Sequence, residues 1–424
     1  MTLALRLRKE GFNITLIESG SELGGLASPG KIGQYTWDRF YHVILMSDLN
    51  LIKLLKELDL ADELKWGLTK TGFFTDGHLY SMSDSIEFLR FPPLRITDKV
   101  RLGWTIFYAS KIRAWQRLEE ISVVDWLEKL SGKRTFNKIW LPLLKSKLGE
   151  NYKIANAAFI WAIIARMYAA RRSGLKREMF GYVEGGYKTI LARFQSHLEK
   201  LGVRIFVQSP VVEVNSVNDI VDLKVGGGSN LKFDEVVLTI PASKIPDVCP
   251  QTSPSEKRMF EGITYQDIIC AALILKKPLA GYYVTNITDE WVPFTGVIET
   301  TALVDKKYFG GNSLVYLPRY ITKRDSLWEQ TDKMIEEEFC SALESMYPSF
   351  SRADCLSFEL SKARQVFPIT TLNYTKEFIP PTKTSVKHVY AVNSAQIPNG
   401  TMNANEIIGL SNTKAIEICG FLSC

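Results

Sequence analysis

The stretch ITLIESGSELGGLA, Ile14 to Ala27, decides how the rest of the chain is read. An apolar run of Ile14, Leu16 and Ile17 closes on an acidic residue, Glu18, and a loop with the glycine pair Gly24 and Gly25 follows. This is the pattern at the end of the second strand of a dinucleotide-binding βαβ unit. There a carboxylate at the strand tip accepts hydrogen bonds from the adenosine ribose hydroxyls, about 20 residues beyond a glycine-rich turn. By that count the first strand and its Gly-x-Gly-x-x-Gly turn are expected ahead of Met1. The crossover helix that follows such a turn is present, Thr2 to Lys9, with Gly11 in the C′ position that ends helices. The same strand, acid and glycine pair also occur in α/β proteins that bind no nucleotide, so the remaining segments have to arbitrate.

Composition narrows the classes. With 424 residues, 46% hydrophobic and 23% charged, the chain has core enough for two or more domains. A net charge of +6 without any nucleic-acid motif argues against nucleic acid as a partner. Six cysteines, at positions 249, 270, 340, 355, 419 and 424, form no C-x-x-C pair, and four histidines cannot assemble a zinc quartet with them, so no metal site is expected. They read as buried thiols of a reducing compartment, and Met1 leads directly into a charged helix rather than a signal peptide, which points to the cytoplasm. The longest apolar run, Ala157 to Ala165, is too short to span a bilayer and reads as a buried helix.

After the glycine loop comes a dense aromatic patch, Tyr35 to Ile44, containing Asp38, Arg39 and His42; core packing is its simplest reading. Leucine and isoleucine spacing predicts a helix from Leu49 to Leu64, and Gly72 to Ser81 predicts a hairpin with Asp76-Gly77 as its turn. Residues 86 to 149 read as largely helical, with Arg90, Arg95, Lys111, Arg113 and Arg117 among Trp104, Phe107 and Trp115. A basic, aromatic segment over residues 90 to 118 is suited to peripheral contact with an anionic membrane, and an ordinary solvated basic face is the simpler alternative. From 183 to 255 the character is α/β again. Residues 263 to 375 alternate strands with a helix at Leu327 to Met346, and a strand, a polar loop and a helix close the chain.

Four of these places together resemble the flavin-containing amine oxidase superfamily, which also includes protoporphyrinogen oxidase and phytoene desaturase. Glu18 with Gly24-Gly25 is similar to its E-x(5)-G-G signature. VEGGYKTILARF, Val183 to Phe194, resembles its G-G helix start. SPVVEVN and DEVVLTIPA, within Ser209 to Ala242, resemble the strand that touches the adenine and the V-V-x-T-x-P strand after it. VYAVNSAQIPNGTMNANEIIGLSNTKA, Val389 to Ala415, resembles the C-terminal flavin loop and its helix.

The resemblance implies an α/β fold: an FAD-binding Rossmann-like domain over 1–80, 183–255 and 376–424, and a mixed-sheet and helical substrate domain over 81–182 and 256–375. It implies FAD as cofactor and a small-molecule substrate. Glu18, Gly24, Gly25, Leu26, Tyr41, His42, Val212, Pro241, Asn393, Asn403 and Asn405 are its cofactor-side residues, and Phe367, Pro368 and Tyr374 its substrate-side candidates. Two positions depart from the family pattern. Leu26 stands where many members carry a basic residue, so phosphate charge is expected to meet backbone N–H groups and helix termini. Asn393-Ser394 stands in place of Gly-Asp, leaving a neutral amide as hydrogen-bonding partner. The helix start at Asn403 to Glu406 is placed to stabilise charge at flavin O2, with an ordinary helix cap as the alternative for Asn405.

The expected reaction is hydride transfer from an amine or an apolar C–C substrate to flavin N5, with no catalytic side chain marked. A non-redox sugar mutase, akin to UDP-galactopyranose mutase, is the alternative, with Arg319 and Arg364 as its arginine pair. A cofactor-free scaffold is the third reading, motivated by the glycine turn that the sequence does not contain. Substrate, electron acceptor and oligomeric state are not legible.

Overall fold

The computed structural model describes residues 1–171, 179–399 and 403–422. The chain opens with α1 (Thr2–Lys9), β1 (Thr15–Ile17), β2 (Pro29–Ile32), β3 (Tyr35–Asp38), β4 (Ile44–Leu45), α2 (Leu49–Glu57), β5 (Leu64–Leu68), β6 (Thr71–Thr75) and β7 (His78–Ser81). A helical stretch follows: α3 (Ser85–Arg90), α4 (Ile96–Lys111), α5 (Val123–Ser131), α6 (Lys133–Thr135), α7 (Leu141–Leu148) and α8 (Ala157–Arg171). Next come β8 (Met179–Val183), α9 (Tyr187–Lys200), β9 (Arg204–Phe206), β10 (Val211–Val217), β11 (Ile220–Val225), β12 (Asn230–Phe233) and β13 (Val236–Leu238). Then α10 (Ile245–Val248), α11 (Pro254–Gly262), β14 (Tyr265–Leu275), β15 (Val284–Ile287), β16 (Gly296–Glu299), β17 (Ser313–Ile321) and α12 (Asp332–Met346). β18 (Cys355–Pro368), α13 (Tyr374–Glu377), β19 (Val389–Ala391) and α14 (Ala404–Leu422) complete it.

Two layers share the work. In the first, two parallel ribbons, β1–β9 and β13–β19, sit beside the antiparallel meander β10–β11–β12. Ile14 packs with Leu3, Leu7, Tyr390 and Val392, and Ile17 with the cluster around Val236, Leu238 and Val389, so the ribbons are joined through side chains rather than a shared ladder. Leu5 of α1, Leu54 and Leu55 of α2, and Ile190, Phe194 and Leu198 of α9 cover the other face. The helix α1 ends as its sequence indicates, with Gly11 at φ +95°. The helix α2 is shorter than its apolar spacing suggests. It stops at Glu57 because Asp59 takes φ +56° and Leu60 N–H returns to the Leu55 carbonyl at 2.8 Å, so Leu58 and Leu60 are buried as part of the helix end.

The second layer is a seven-stranded sheet in the order β18-β14-β17-β16-β15-β6-β7. At its heart β14 is buried along all of its length, YQDIICAALIL, the near-continuous apolar run expected of a strand covered on both faces. Ile268, Cys270, Ala272 and Ile274 face the large core shared with the helical insert and the aromatic patch. Ile269, Ala271, Leu273 and Leu275 face the opposite core, beneath Ile335, Phe339 and Leu343 of α12. The hairpin β6–β7 turns at Asp76 and Gly77, both at positive φ, as read from the sequence. It pairs with β15, so residues Thr71 to Ser81 belong to this seven-stranded sheet. Among the described residues no helix is long and apolar enough to cross a membrane.

Candidate functional site

Glu18 sits where β1 gives out. Its N–H donates to the Phe206 carbonyl at 2.8 Å and its carbonyl accepts from Ser209 N–H at 2.9 Å, which fixes the strand tip against the segment leading into β10. One carboxylate oxygen accepts from Gly20 N–H at 2.7 Å and Ser19 Oγ at 3.1 Å; the other makes no hydrogen bond among the described residues. Val212 lies at a bulge where β10 shifts register against β11, and its side chain is exposed. Pro241 opens the tight turn after β13, its carbonyl accepting from Lys244 N–H at 2.9 Å.

The glycine loop is shaped by close approach. Gly24 has φ +117°, and a Cβ there would stand 2.5 Å from Leu191 Cδ1 of α9. Gly25, at φ +57°, has nothing within 4 Å of the same position, so the loop packs tightly on one side and is open on the other. Leu26 is exposed. A cation from the aromatic patch does lie on this loop. Arg39, just past β3, donates through Nη2 to the Gly25 carbonyl at 2.9 Å and to Ser28 Oγ. A guanidinium is thus anchored on this loop, and its signal in the sequence was a lone arginine inside an aromatic patch.

Asp38 joins this loop to the aromatic patch. Its buried carboxylate accepts from Tyr187 N–H at 2.9 Å, capping α9, and lies 3.6 Å from His42 Nδ1. The His42 ring lies tilted against Tyr187 at 4.6 Å between centroids, and its Nδ1 is buried without a hydrogen-bond partner. Tyr41 pairs with Tyr320 of β17, hydroxyl to hydroxyl at 2.9 Å. From there an aromatic wall continues: Tyr320 meets Phe367 edge-on at 5.8 Å, and Phe367 stacks on Phe159 of α8 at 6.4 Å. Burial raises the Tyr41 hydroxyl well above the ordinary phenol range, and raises that of Tyr320 to about 12. Lys147 of α7 holds its ammonium 5.7 Å from the Tyr320 ring centroid. No ion pair to Lys147 occurs among the described residues, whereas Lys145, two places earlier, meets Glu290 at 2.8 Å. Burial, with Arg166 as a second cause, pushes the Lys147 ammonium down to about 8.

On the final loop, Asn393 Oδ1 accepts from Ala395 N–H at 3.1 Å while its Nδ2 is buried and unpartnered. Asn403 is arranged alike, Oδ1 capping Glu406 N–H at 3.1 Å and Nδ2 without a partner. Gly400, Thr401 and Met402 between them, and Cys424, lie outside the described residues. Asn405 is committed elsewhere. Its Oδ1 accepts from Asn50 N–H at 2.8 Å and Leu51 N–H at 3.2 Å, capping the start of α2. The Tyr374 hydroxyl donates to the Ala395 carbonyl at 2.9 Å and so holds the Asn393 loop. Pro368 closes β18 opposite Tyr265. Arg319 and Arg364 do not form a pair on the aromatic side. Strand alternation puts Arg319 with Leu317 and Ile321, on the face away from Tyr316 and Tyr320. Arg364 is held by Asp267 at 2.7 Å and stacked on Trp328.

A buried donor without a partner costs ~1–3 kcal/mol, so such a group is a candidate for a ligand contact. The open side of Gly25, the unengaged Glu18 oxygen, and the unpartnered His42 Nδ1, Asn393 Nδ2 and Asn403 Nδ2 fit an extended, polar cofactor with ribose, phosphate and ring portions. No cluster of metal-ligating side chains occurs among the described residues. The comparisons with known proteins agree. The family model described as flavin containing amine oxidoreductase matches residues 1–399. No curated protein matches by sequence. Among solved structures, a protoporphyrinogen oxidase-like protein from Exiguobacterium sp. 255-15 superposes with a TM-score of 0.76 at 16% identity, covering 98% of this chain and 96% of that one. Wild-type putrescine oxidase bound to putrescine gives 0.74 at 17% identity, with 99% and 96% covered. Cyclohexylamine oxidase from Brevibacterium oxydans IH-35A gives 0.72 at 15%, with 100% and 97% covered. The chain belongs to the flavin containing amine oxidoreductase family and is an FAD-dependent oxidoreductase.

Proposed function

We propose that this enzyme takes a hydride from an apolar substrate, at an amine carbon or a C–C bond, and that the substrate's polar end is neutral or a carboxylate. The observation that carries this reading is the wall of Tyr41, Tyr320, Phe367 and Phe159 with the Lys147 ammonium beside it and no carboxylate paired to that lysine among the described residues. The chemistry FAD supplies when bound is acceptance of the hydride at N5. Glu18 is assigned to the adenosine ribose, Arg39 to the diphosphate, and the amides of Asn393 and Asn403 to the remaining polar atoms of the cofactor. The phenols of Tyr41 and Tyr320 stay protonated at neutral pH, so they orient and exclude water rather than act as bases. A fixed cation in an apolar wall repels a diammonium substrate and attracts a carboxylate. The sugar-mutase alternative has no support here, since its two arginines are on the far face of the sheet or already paired.

The direct test is anaerobic mixing of the purified flavoprotein with hydrophobic amines, hydrophobic carboxylates and UDP-sugars, followed as bleaching of the flavin absorbance. Bleaching by either of the first two groups supports hydride transfer; if neither bleaches the flavin, the reading fails. Lys147 adds a sign. Its ammonium is present below about pH 8 and is lost as pH rises through that value. KM for a carboxylate substrate is therefore expected to climb above that pH in the native enzyme and to stay flat in Lys147→Met. At pH 7 the variant's KM is expected to be about tenfold higher, the loss of one charge-assisted contact. An unchanged KM with an unchanged pH profile would remove Lys147 from substrate binding.

A further inference from the structure

The outward face of α4 is apolar where a solvated basic face was the simpler expectation. Ile96, Val100, Trp104 and Phe107 recur at the spacing that lines up one side of a helix, and Ile86 and Leu89 of α3 extend the patch. These six and Tyr108 are between 42% and 65% exposed. The opposite side of α4 is fully used: Thr105 Oγ1 meets Ser131 Oγ of α5 at 2.9 Å, and Trp161 Nε1 of α8 donates to the Ala109 carbonyl at 3.0 Å. The helix thus spends its polar contacts inward and shows water its large side chains, the reverse of a surface helix in a self-contained domain.

The exposed charges at the ends of the patch are mostly positive. Arg90, Arg95, Lys111, Arg113 and Arg117 are exposed at its ends. Lys111 holds its ammonium over the Phe107 ring, 5.3 Å from the centroid, so the cation sits at the edge of the apolar patch. The neighbouring acids are occupied: Asp98 is buried against Arg134 at 3.3 Å, and Glu87 accepts from Ser81 Oγ and Ser83 N–H.

We propose that this face of α3 and α4 rests on a bilayer whose headgroups are anionic, with Ile96, Val100, Trp104 and Phe107 in the interfacial layer and the flanking cations on the phosphates. Charge complementarity selects this occupant. A second copy of the chain would bring the same cations to the same patch, where like charges repel, whereas an anionic interface satisfies both the apolar face and its rim. Tryptophan, with an apolar body and a polar N–H, is suited to that depth.

The test is sedimentation of the full-length flavoprotein with phosphatidylcholine vesicles containing phosphatidylglycerol, against vesicles of phosphatidylcholine alone. The native protein is expected to sediment with the anionic vesicles and to be released by salt. Trp104→Ser combined with Phe107→Ser is expected to abolish binding with an unchanged flavin-to-protein ratio. Arg95→Ala combined with Lys111→Ala is expected to weaken partitioning about 25-fold, about fivefold for each charge. Absence of sedimentation with anionic vesicles, or equal sedimentation of both variants, would overturn the proposal. So would a concentration-dependent dimer that the Trp104 variant alone disrupts, because the face would then belong to a second copy.

Discussion

Replacing Asp48 by alanine is expected to lower stability by ~3–5 kcal/mol, the cost of stranding one member of a buried ion pair. The carboxylate is 3% exposed and receives Arg166 of α8 through Nη2 at 3.0 Å on both oxygens. It also accepts from Leu45 N–H at 2.9 Å, at the end of β4. One side chain therefore clamps helix α8 to the turn that enters α2. Its loss leaves a half-buried guanidinium without its partner and an amide without its acceptor. Asp48→Asn keeps one acceptor and is expected to cost less. Asp48→Leu with Arg166→Met, which removes both charges and fills the space, is expected to cost less than Asp48→Ala alone. Denaturant unfolding of the FAD-saturated variants measures this order. A loss below about 1 kcal/mol in Asp48→Ala would place the pair among the weak surface bridges and refute the clamp. A second readout is independent of stability. Arg166 already depresses the Lys147 ammonium, so with its own counter-charge gone the midpoint of the KM profile is expected to move below about 8.

What the sequence makes legible is local. Gly11 and the Asp76-Gly77 pair each announce their structure within a few residues, because left-handed backbone is set by near neighbours. The cofactor class was legible through the order of four such local signals, Glu18 first among them. Partner choice was not. The apolar spacing that extended α2 to Leu64 could not reveal that Leu58 and Leu60 close the helix instead of continuing it. Arg39 reaching Gly25, Tyr41 meeting Tyr320 and Asp48 holding Arg166 each join segments that only the folded topology brings together. The same holds for Asn405, whose cap on α2 spans 355 residues of sequence. Arg319 is an intermediate case. Once Tyr316 and Tyr320 are put on the inner face of β17, alternation alone sends Arg319 to the opposite face.

Glu18 carries the second large effect, on cofactor affinity rather than folding. Its carboxylate has two separable tasks. One oxygen holds the Ser19-Gly20 turn through hydrogen bonds at 3.1 and 2.7 Å, and the other is left for ligand hydroxyls at the strand tip. Glu18→Ala removes both, while Glu18→Gln keeps an acceptor for Gly20 N–H and loses the charge. Hydrogen bonds to a charged acceptor are worth ~1.5–3 kcal/mol, so Glu18→Ala is expected to weaken FAD binding by ~2–3 kcal/mol, about 30- to 150-fold. The glutamine variant should fall between, because its turn survives and its ribose contacts become neutral. The measurement is flavin fluorescence on titrating apoprotein with FAD, repeated with FMN, which lacks the adenosine ribose. If Glu18 acts on that ribose, FMN affinity is unchanged in the glutamine variant while FAD affinity drops. If both flavins weaken equally, the carboxylate serves only the turn, and its assignment to the ribose is wrong. Arg39 sharpens the contrast: it sits on the Gly25 side of the loop, so Arg39→Ala should weaken FAD by acting on the diphosphate and leave the FAD-over-FMN discrimination due to Glu18 in place.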